Sequence, residues 1–303
     1  HQHYLQNPSY KDFHEQLEAY TASYVQQQGA AKRTRATLYK IPVVVHVIHN
    51  GESVGSGANI SVAQINSQIA VLNKDFRLLN TDSLLPSNGF WPYTDDCEIE
   101  FCLATLAPNG LSTSGIDRFN YGQSTYDYAD IDGIIKPNTI WDRNKYLNIW
   151  VCKFGGSAST LLGFATPPGA PVDEDGVVIG TTNFGTTGNV ASPYNKGRTA
   201  THEIGHFFNL RHIWGDTFCG TDFIADTAPA EEANYGCKSY PYNANNSCGG
   251  DAKGEMYMNY MDYVDDNCIN MFTSGQAARM QAALNGPRSG LLTSNGCGSP
   301  HSI

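Results

Sequence analysis

Two histidines separated by three residues, with a glutamate directly after the first, stand at His202-Glu203-Ile204-Gly205-His206. On a helix this spacing puts both imidazoles on one face, one above the other, where they can bind a single tetrahedral ion. Glu203 falls one position round, where its carboxylate can reach a water on the ion rather than the ion itself. His212 follows His206 by six residues, too far to share that face. It can serve as a third ligand only if the helix stops and the chain reverses near position 209. A sharp stop needs a left-handed residue, usually Gly and next most often Asn, and the residue there is Asn209. Three neutral imidazoles leave one zinc position for water, which is the catalytic rather than the structural arrangement. Zinc brings such a water's pKa towards neutrality and polarises a carbonyl, while Glu203 takes the proton and passes it to the leaving amine. These residues predict a zinc-dependent endopeptidase acting on protein or peptide substrates.

The elements that must position this motif follow from periodicity. Residues 9 to 28 carry Tyr10, Phe13, Leu17, Tyr20 and Tyr24 at helical spacing, and Gln26 to Arg35, ending in Lys32-Arg33-Thr34-Arg35, reads as a linker. Tyr39 to Ile48 is a strand whose apolar run, Ile41 to Ile48, is broken by Pro42 and His46. Ser61-Val62-Ala63-Gln64 is a capping box opening a helix whose apolar face is Ile65, Ile69, Leu72 and Phe76. Glu98 to Leu106, Tyr146 to Phe154 and Gly176 to Thr181 read as further strands, while Gly, Pro, Thr and Asn crowd 155 to 195 and predict loops. A helix over Arg198 to Asn209 carries the histidines, and a second capping box at Thr273-Ser274-Gly275-Gln276 opens a last helix to about Leu284. The expected organisation is a helical segment over 1–36, an α/β upper subdomain over 37–209, an irregular lower subdomain over 210–297 and a tail over 298–303.

Composition narrows the partners. The 303 residues carry a net charge of -10 and no dense basic patch, which excludes nucleic acid as a partner. The longest apolar run is far too short to span a bilayer. The chain opens His1-Gln2-His3 with no apolar signal segment, so secretion must be argued from the cysteines. Of eight cysteines, five (Cys219, Cys237, Cys248, Cys268, Cys297) fall in the last 85 residues, and no C-x-x-C pair exists. An even count in a loop-rich region reads as disulfides, hence an oxidising, extracellular compartment. A monomer is expected.

The string from His202 to His212 resembles the metzincin signature H-E-x-x-H-x-x-G-x-x-H, with Asn209 in the Gly place, and Asn259-Tyr260-Met261-Asp262-Tyr263 looks like its methionine turn. Ile41-Pro42-Val43-Val44-Val45-His46-Val47, Asp222 to Pro229 and Asn259 through Met280 extend the likeness, over most of 38 to 285, to ulilysin-type members of the pappalysin family. The resemblance implies a metzincin fold: a twisted mixed sheet with backing and active-site helices above an irregular, disulfide-linked lower half that ends in a C-terminal helix. It also implies one zinc, proteolytic activity and Met261 beneath the metal. It makes Tyr263 a hydrogen-bond donor to the tetrahedral oxyanion. Calcium would be held by Asp222, the Ala225 carbonyl and Thr227, with Asp226 adjacent. Asp266 would be the acid that selects Arg, or Lys, after the scissile bond. The implied bridges are Cys219 to Cys248 and Cys237 to Cys268, and the pairing of Cys97, Cys102, Cys152 and Cys297 stays open. The 1–36 segment reads as the remnant of a pro-segment, cut at its basic stretch. With no cysteine before Cys97, an acid such as Asp12 would have to silence the zinc. Two alternatives are a thermolysin-like site with a distant glutamate ligand and a catalytically silent binding module on the same fold. His212 and Met261 argue against the first, and Glu203 against the second.

Overall fold

A computed structural model describes residues 8–30 and 38–298; the basic segment Lys32-Arg33-Thr34-Arg35 and the end of the tail lie outside them. Its frame is one sheet of six strands: β1 (Tyr39–His49), β2 (Ile99–Leu103), β3 (Ile116–Asn120), β4 (Leu147–Cys152), β5 (Gly163–Ala165) and β6 (Val177–Gly180). β1 is central, with Ile41 through Ile48 buried without interruption. That is the pattern of a strand covered on both faces, as parallel pairing demands. β4 pairs parallel with one edge of β1, while β2 and β3 follow one another along the other. β6 pairs parallel with β4, and β5 closes the sheet antiparallel to β6.

Helix α1 (Pro8–Ala30) precedes the sheet, α2 (Val62–Asp75) follows β1, and the short turns α3 (Tyr128–Asp130) and α4 (Lys136–Thr139) flank a π-helical segment at Ile131–Ile135. α5 (Arg198–Phe207) carries the histidines and α6 (Ser274–Asn285) closes the fold. At α6 the predicted capping box forms, Thr273 and Gln276 capping each other reciprocally, whereas at α2 only half of it does: Ser61 accepts from the Gln64 amide, and the Gln64 side chain turns away from the cap. α2 buries Ile65 and Leu72, with Phe76 at its C-cap, and adds two buried glutamines. Gln64 donates to the carbonyls of Thr181 and Phe184, at 3.0 and 2.9 Å. Gln68 donates to the Gly197 carbonyl at 2.9 Å and accepts from the Gly185 amide at 2.6 Å. This loop leads into α5, so α2 sets where the metal-binding helix begins. Gly197 starts it with φ +76°, and a Cβ there would sit 2.9 Å from Gln68 Oε1, so both conformation and space call for glycine.

The elements differ from the sequence reading at edges. The strand expected from Glu98 begins at Ile99, because Glu98 is left-handed at φ +59°. β5 falls within the 155–195 stretch where loops were expected, and β3 and the α3–α4 region lie where the sequence reading assigned no element. β5 is three residues long and β3 is only half-buried, so neither leaves a periodic signal. Bridges join Cys219 to Cys248 and Cys237 to Cys268, as the resemblance implies, and a third joins Cys102 to Cys297. Cys97 and Cys152 are buried in the core. The third bridge spans 195 residues, and beside it Thr105 donates its amide to Gly296 at 2.7 Å. Replacing Cys102 and Cys297 together by Ser should therefore lower unfolding free energy by about 2–5 kcal/mol in denaturant titration; an unchanged midpoint would show that the bridge contributes nothing.

Candidate active site

α5 ends as the spacing requires. The Phe208 amide closes on the Ile204 and Gly205 carbonyls, Asn209 is left-handed at φ +72°, and the Leu210 amide returns to Gly205 at 2.9 Å. The chain then reverses and brings His212 back to the helix. Its Nε2 lies 3.3 Å from that of His202 and 3.0 Å from that of His206, and the latter two are 3.0 Å apart. Among the described residues this is the one group of three or more His, Cys, Asp or Glu side chains whose ligand atoms come within 4.8 Å of each other. Nitrogens about 2.0–2.1 Å from a tetrahedral zinc stand roughly 3.3 Å apart, so the donor set fits that ion.

The far nitrogen of each ring is tied down, which leaves Nε2 with its lone pair facing the other two. His202 Nδ1 donates to the Tyr260 carbonyl at 2.7 Å and His206 Nδ1 to the Leu210 carbonyl at 2.9 Å, while His212 Nδ1 meets the Asp216 carboxylate. Trp214 lies flat on His212, with centroids 4.4 Å apart. Burial, reinforced by the neighbouring His212, pushes His202 down to about 3 and His206 well below its ordinary value, so both are neutral, the form that binds metal. Sequence reasoning missed Asp216. Its signal was an acid four residues after the third histidine, in a Gly-Asp turn.

Met261 sits under the helix. A Cβ on Gly205 would lie 2.6 Å from its sulfur, so the glycine inside the H-E-x-x-H motif is the clearance for the methionine. The turn is held by Asn259, which accepts from the Met261 amide at 2.9 Å and exchanges amide bonds with Gln276 at 2.7 and 2.8 Å. Two residues on, Tyr263 Oη stands 2.9 Å from His212 Nε2. Glu203 is buried, its carboxyl raised to about 8 by desolvation, and it lines the cavities on both sides of the histidines.

Asp266 lines one of these cavities together with Tyr194, Arg198 and Ile269. Its carboxylate accepts from the Lys196 amide at 2.6 Å, and burial raises its pKa. Arg198 braces the same wall, bonding the Asp266 carbonyl at 2.8 Å and gripping Asp82 with both terminal nitrogens. The Asp262 carboxylate is taken by the Asn234 backbone and side-chain nitrogens, each at 2.8 Å. Asp222 Oδ1 accepts from Thr227 Oγ1 and the Ile224 amide, both at 3.0 Å, whereas its Oδ2 is buried with no hydrogen-bond partner. The adjacent Asp226 instead caps α6, accepting from Thr273, Ser274 and the Gly275 amide. Asp12 lies on the exposed side of α1.

Comparison with solved structures places this arrangement. Mature mirolysin of Tannerella forsythia, solved with a cleaved peptide, is 41% identical with a TM-score of 0.79 over 88% of this chain and 100% of that one. A promirolysin variant from the same organism is 38% identical with a TM-score of 0.83, covering 98% of this chain and 96% of its own. The fold is that of the metzincin metalloproteases. An extracellular metalloprotease of Colletotrichum graminicola is 30% identical over 84% of this chain and 79% of its own length, and the family model described as pregnancy-associated plasma protein-A matches residues 131–285. The chain belongs to the pappalysin family, and it is an extracellular metalloendopeptidase.

Asn209 gives the geometry a direct test. Its side-chain nitrogen is buried without a hydrogen-bond partner, so nothing there opposes glycine. Asn209→Gly should keep or raise stability, and Asn209→Ala should lose about 1–2 kcal/mol and retain less zinc on dialysis. Equal behaviour of the two variants would mean that the left-handed turn does not carry His212.

Proposed function

We propose that His202, His206 and His212 hold a single zinc ion and that Glu203 is the general base of peptide-bond hydrolysis. The observation that carries this reading is the triangle of Nε2 atoms, 3.0–3.3 Å on a side, with every Nδ1 anchored. Bound there, zinc polarises the scissile carbonyl and acidifies water. Glu203 takes a proton from the attacking water and delivers it to the leaving amine nitrogen. Tyr263 donates its hydroxyl to the oxyanion. Met261 supports the site from below, and Asn209 turns the chain. The cleft divides an upper subdomain, 37–209, from a lower one, 210–297. α1 is the folded part of a pro-segment whose removal opens the cleft. Full-length Glu203→Ala should keep one zinc but lose casein hydrolysis by at least about 100-fold, and chelation should abolish wild-type hydrolysis until zinc is returned. Undiminished cleavage by Glu203→Ala would reject the assignment.

On the side of the cleft lined by Asp266 we place the first residue after the scissile bond, with Arg or Lys preferred there. Calcium is assigned to Asp222, the Ala225 carbonyl and Thr227, because the buried, unpartnered Asp222 oxygen calls for a cation. Burial raises the Asp222 carboxyl to about 6, and only its ionised form can bind calcium. Calcium affinity should thus be constant above that pH and fall as pH drops through it, because each binding event must then release a proton. Melting temperature with and without calcium at pH 5 and 7.5 checks this. The shift should be large at 7.5, small at 5 and absent in Asp222→Asn, and a calcium effect indifferent to pH or to that substitution would refute the site.

A further inference from the structure

α1 meets the catalytic half of the protein at two arginines. Arg279, on α6, has a side chain only 3% exposed. Its Nη1 donates to Glu18 Oε2 at 2.7 Å, its Nη2 donates to Oε1, and its Nε donates to the Asn209 carbonyl at 2.6 Å. Arg211, two residues past that carbonyl, reaches His14 Nε2 at 3.2 Å and covers the Phe223 ring at 4.5 Å. Its Nε is buried with no hydrogen-bond partner, and His14 Nε2 in turn lies 3.5 Å from Glu18 Oε1. The two guanidinium groups repel one another, and Glu18 attracts Arg211. Asp216 also attracts it but is committed to His212. One carboxylate therefore serves both arginines, and it belongs to α1.

Arg211 lines the cavity that leaves the histidines on the side opposite Asp266, beneath Phe164, Ala165 and Pro167. β5 is the sheet edge along this cleft. A Cβ on Gly163 would come within 3.0 Å of Glu203 Cγ, so Gly163 marks the level of the reacting bond. A peptide pairing antiparallel with β5, with its first residue after the scissile bond on the Asp266 side, runs its preceding residues past Ala165 towards Pro167. At about 3.3 Å per residue this places Arg211 two to four residues before the bond.

We propose that Arg211 and Arg279 form a carboxylate-binding subsite for an acidic side chain of the peptide substrate, two to four residues before the scissile bond, which Glu18 fills while α1 is docked. The forked guanidinium matches a carboxylate in shape and charge. Once α1 departs, the two guanidinium groups repel each other with no carboxylate between them, so the vacated site favours another anion. This inference rests on the peptidase reading and on its placement of Asp266.

Matched peptides with Asp or Asn at the second, third or fourth position before the bond, and Arg after it, test the subsite on wild type and on Arg211→Gln, each made full length and then freed of α1 by cleavage in the basic stretch Lys32-Arg33-Thr34-Arg35. Wild type should favour Asp over Asn by about tenfold in kcat/KM at one of these positions. Arg211→Gln should bring that ratio close to one while keeping the preference for Arg after the bond. A wild-type ratio near one at all three positions, or the same ratio in the variant, overturns the subsite while leaving the peptidase reading intact. A second measurement needs no turnover. Labelled Asp and Asn peptides are bound to full-length Glu203→Ala with and without Glu18→Gln, followed by fluorescence polarisation. Removing Glu18's charge should tighten the Asp peptide by about tenfold and leave the Asn peptide unchanged. Equal changes for both peptides would make Glu18 a packing contact and overturn the proposal whether or not any peptide is cleaved.

Discussion

Three imidazole nitrogens aimed at one point, 3.0–3.3 Å apart, require six hydrogen-bonding sites to be right at once, and the chain supplies the outer three from different places. Tyr260 belongs to the methionine turn, Leu210 to the chain reversal, and Asp216 to the loop beyond it. Much of the structure can be traced back from those three acceptors. α2 fixes the start of α5 through Gln64 and Gln68. Gln276 of α6 locks Asn259, and with it the turn that presents Tyr260. Arg279 holds the carbonyl of Asn209 at the point of reversal. The lower half has little regular structure, yet Met256, Met258, Tyr260, Met271 and Phe272 join the main core, and two disulfides, Cys219–Cys248 and Cys237–Cys268, tie its loops together.

Charge is sorted along the cleft by the same scaffold. The buried histidines are neutral, so the site presents lone pairs rather than cations. To one side stands Asp266, its carboxylate on backbone amides and its carbonyl on Arg198. To the other stands Arg211, with Arg279 behind it on the Asn209 carbonyl. An extended chain crossing the metal thus passes from positive to negative surroundings within a few residues.

The chemistry was far more legible in the sequence than the frame that carries it. His202, Glu203 and His206 announce themselves because a helix imposes a fixed spacing, and Asn209 does so because few residues tolerate its conformation. β1 was readable from its apolar run, broken only by Pro42 and His46, and α2 and α6 from their capping residues Ser61 and Thr273. β3 and β5 were not, since four half-buried residues followed by an exposed one, and three residues that begin with a glycine, carry no period. Asp216 depends on where a loop returns, and the meeting of Glu18 with Arg279 joins residues 261 apart. Such contacts are products of the tertiary fold, and no local pattern encodes them. The Cys102–Cys297 bridge is of the same kind, linking positions that only the assembled sheet brings together.

β5 has a further consequence for how copies of this protein live together. A strand with one unpaired edge is a template for any extended chain, and neighbouring molecules are as eligible as substrates. Here that edge cannot be covered, because the cleft lies along it. The protein keeps it to three residues, Gly163–Ala165, bounded by the glycine packed on Glu203 and, two residues beyond, by Pro167-Pro168. A ladder that short cannot hold a second sheet edge by backbone bonds alone. It selects for chains that also have side chains to offer the flanking pockets. The brevity that hid β5 from the sequence reading therefore limits what a neighbouring sheet edge can gain by pairing there.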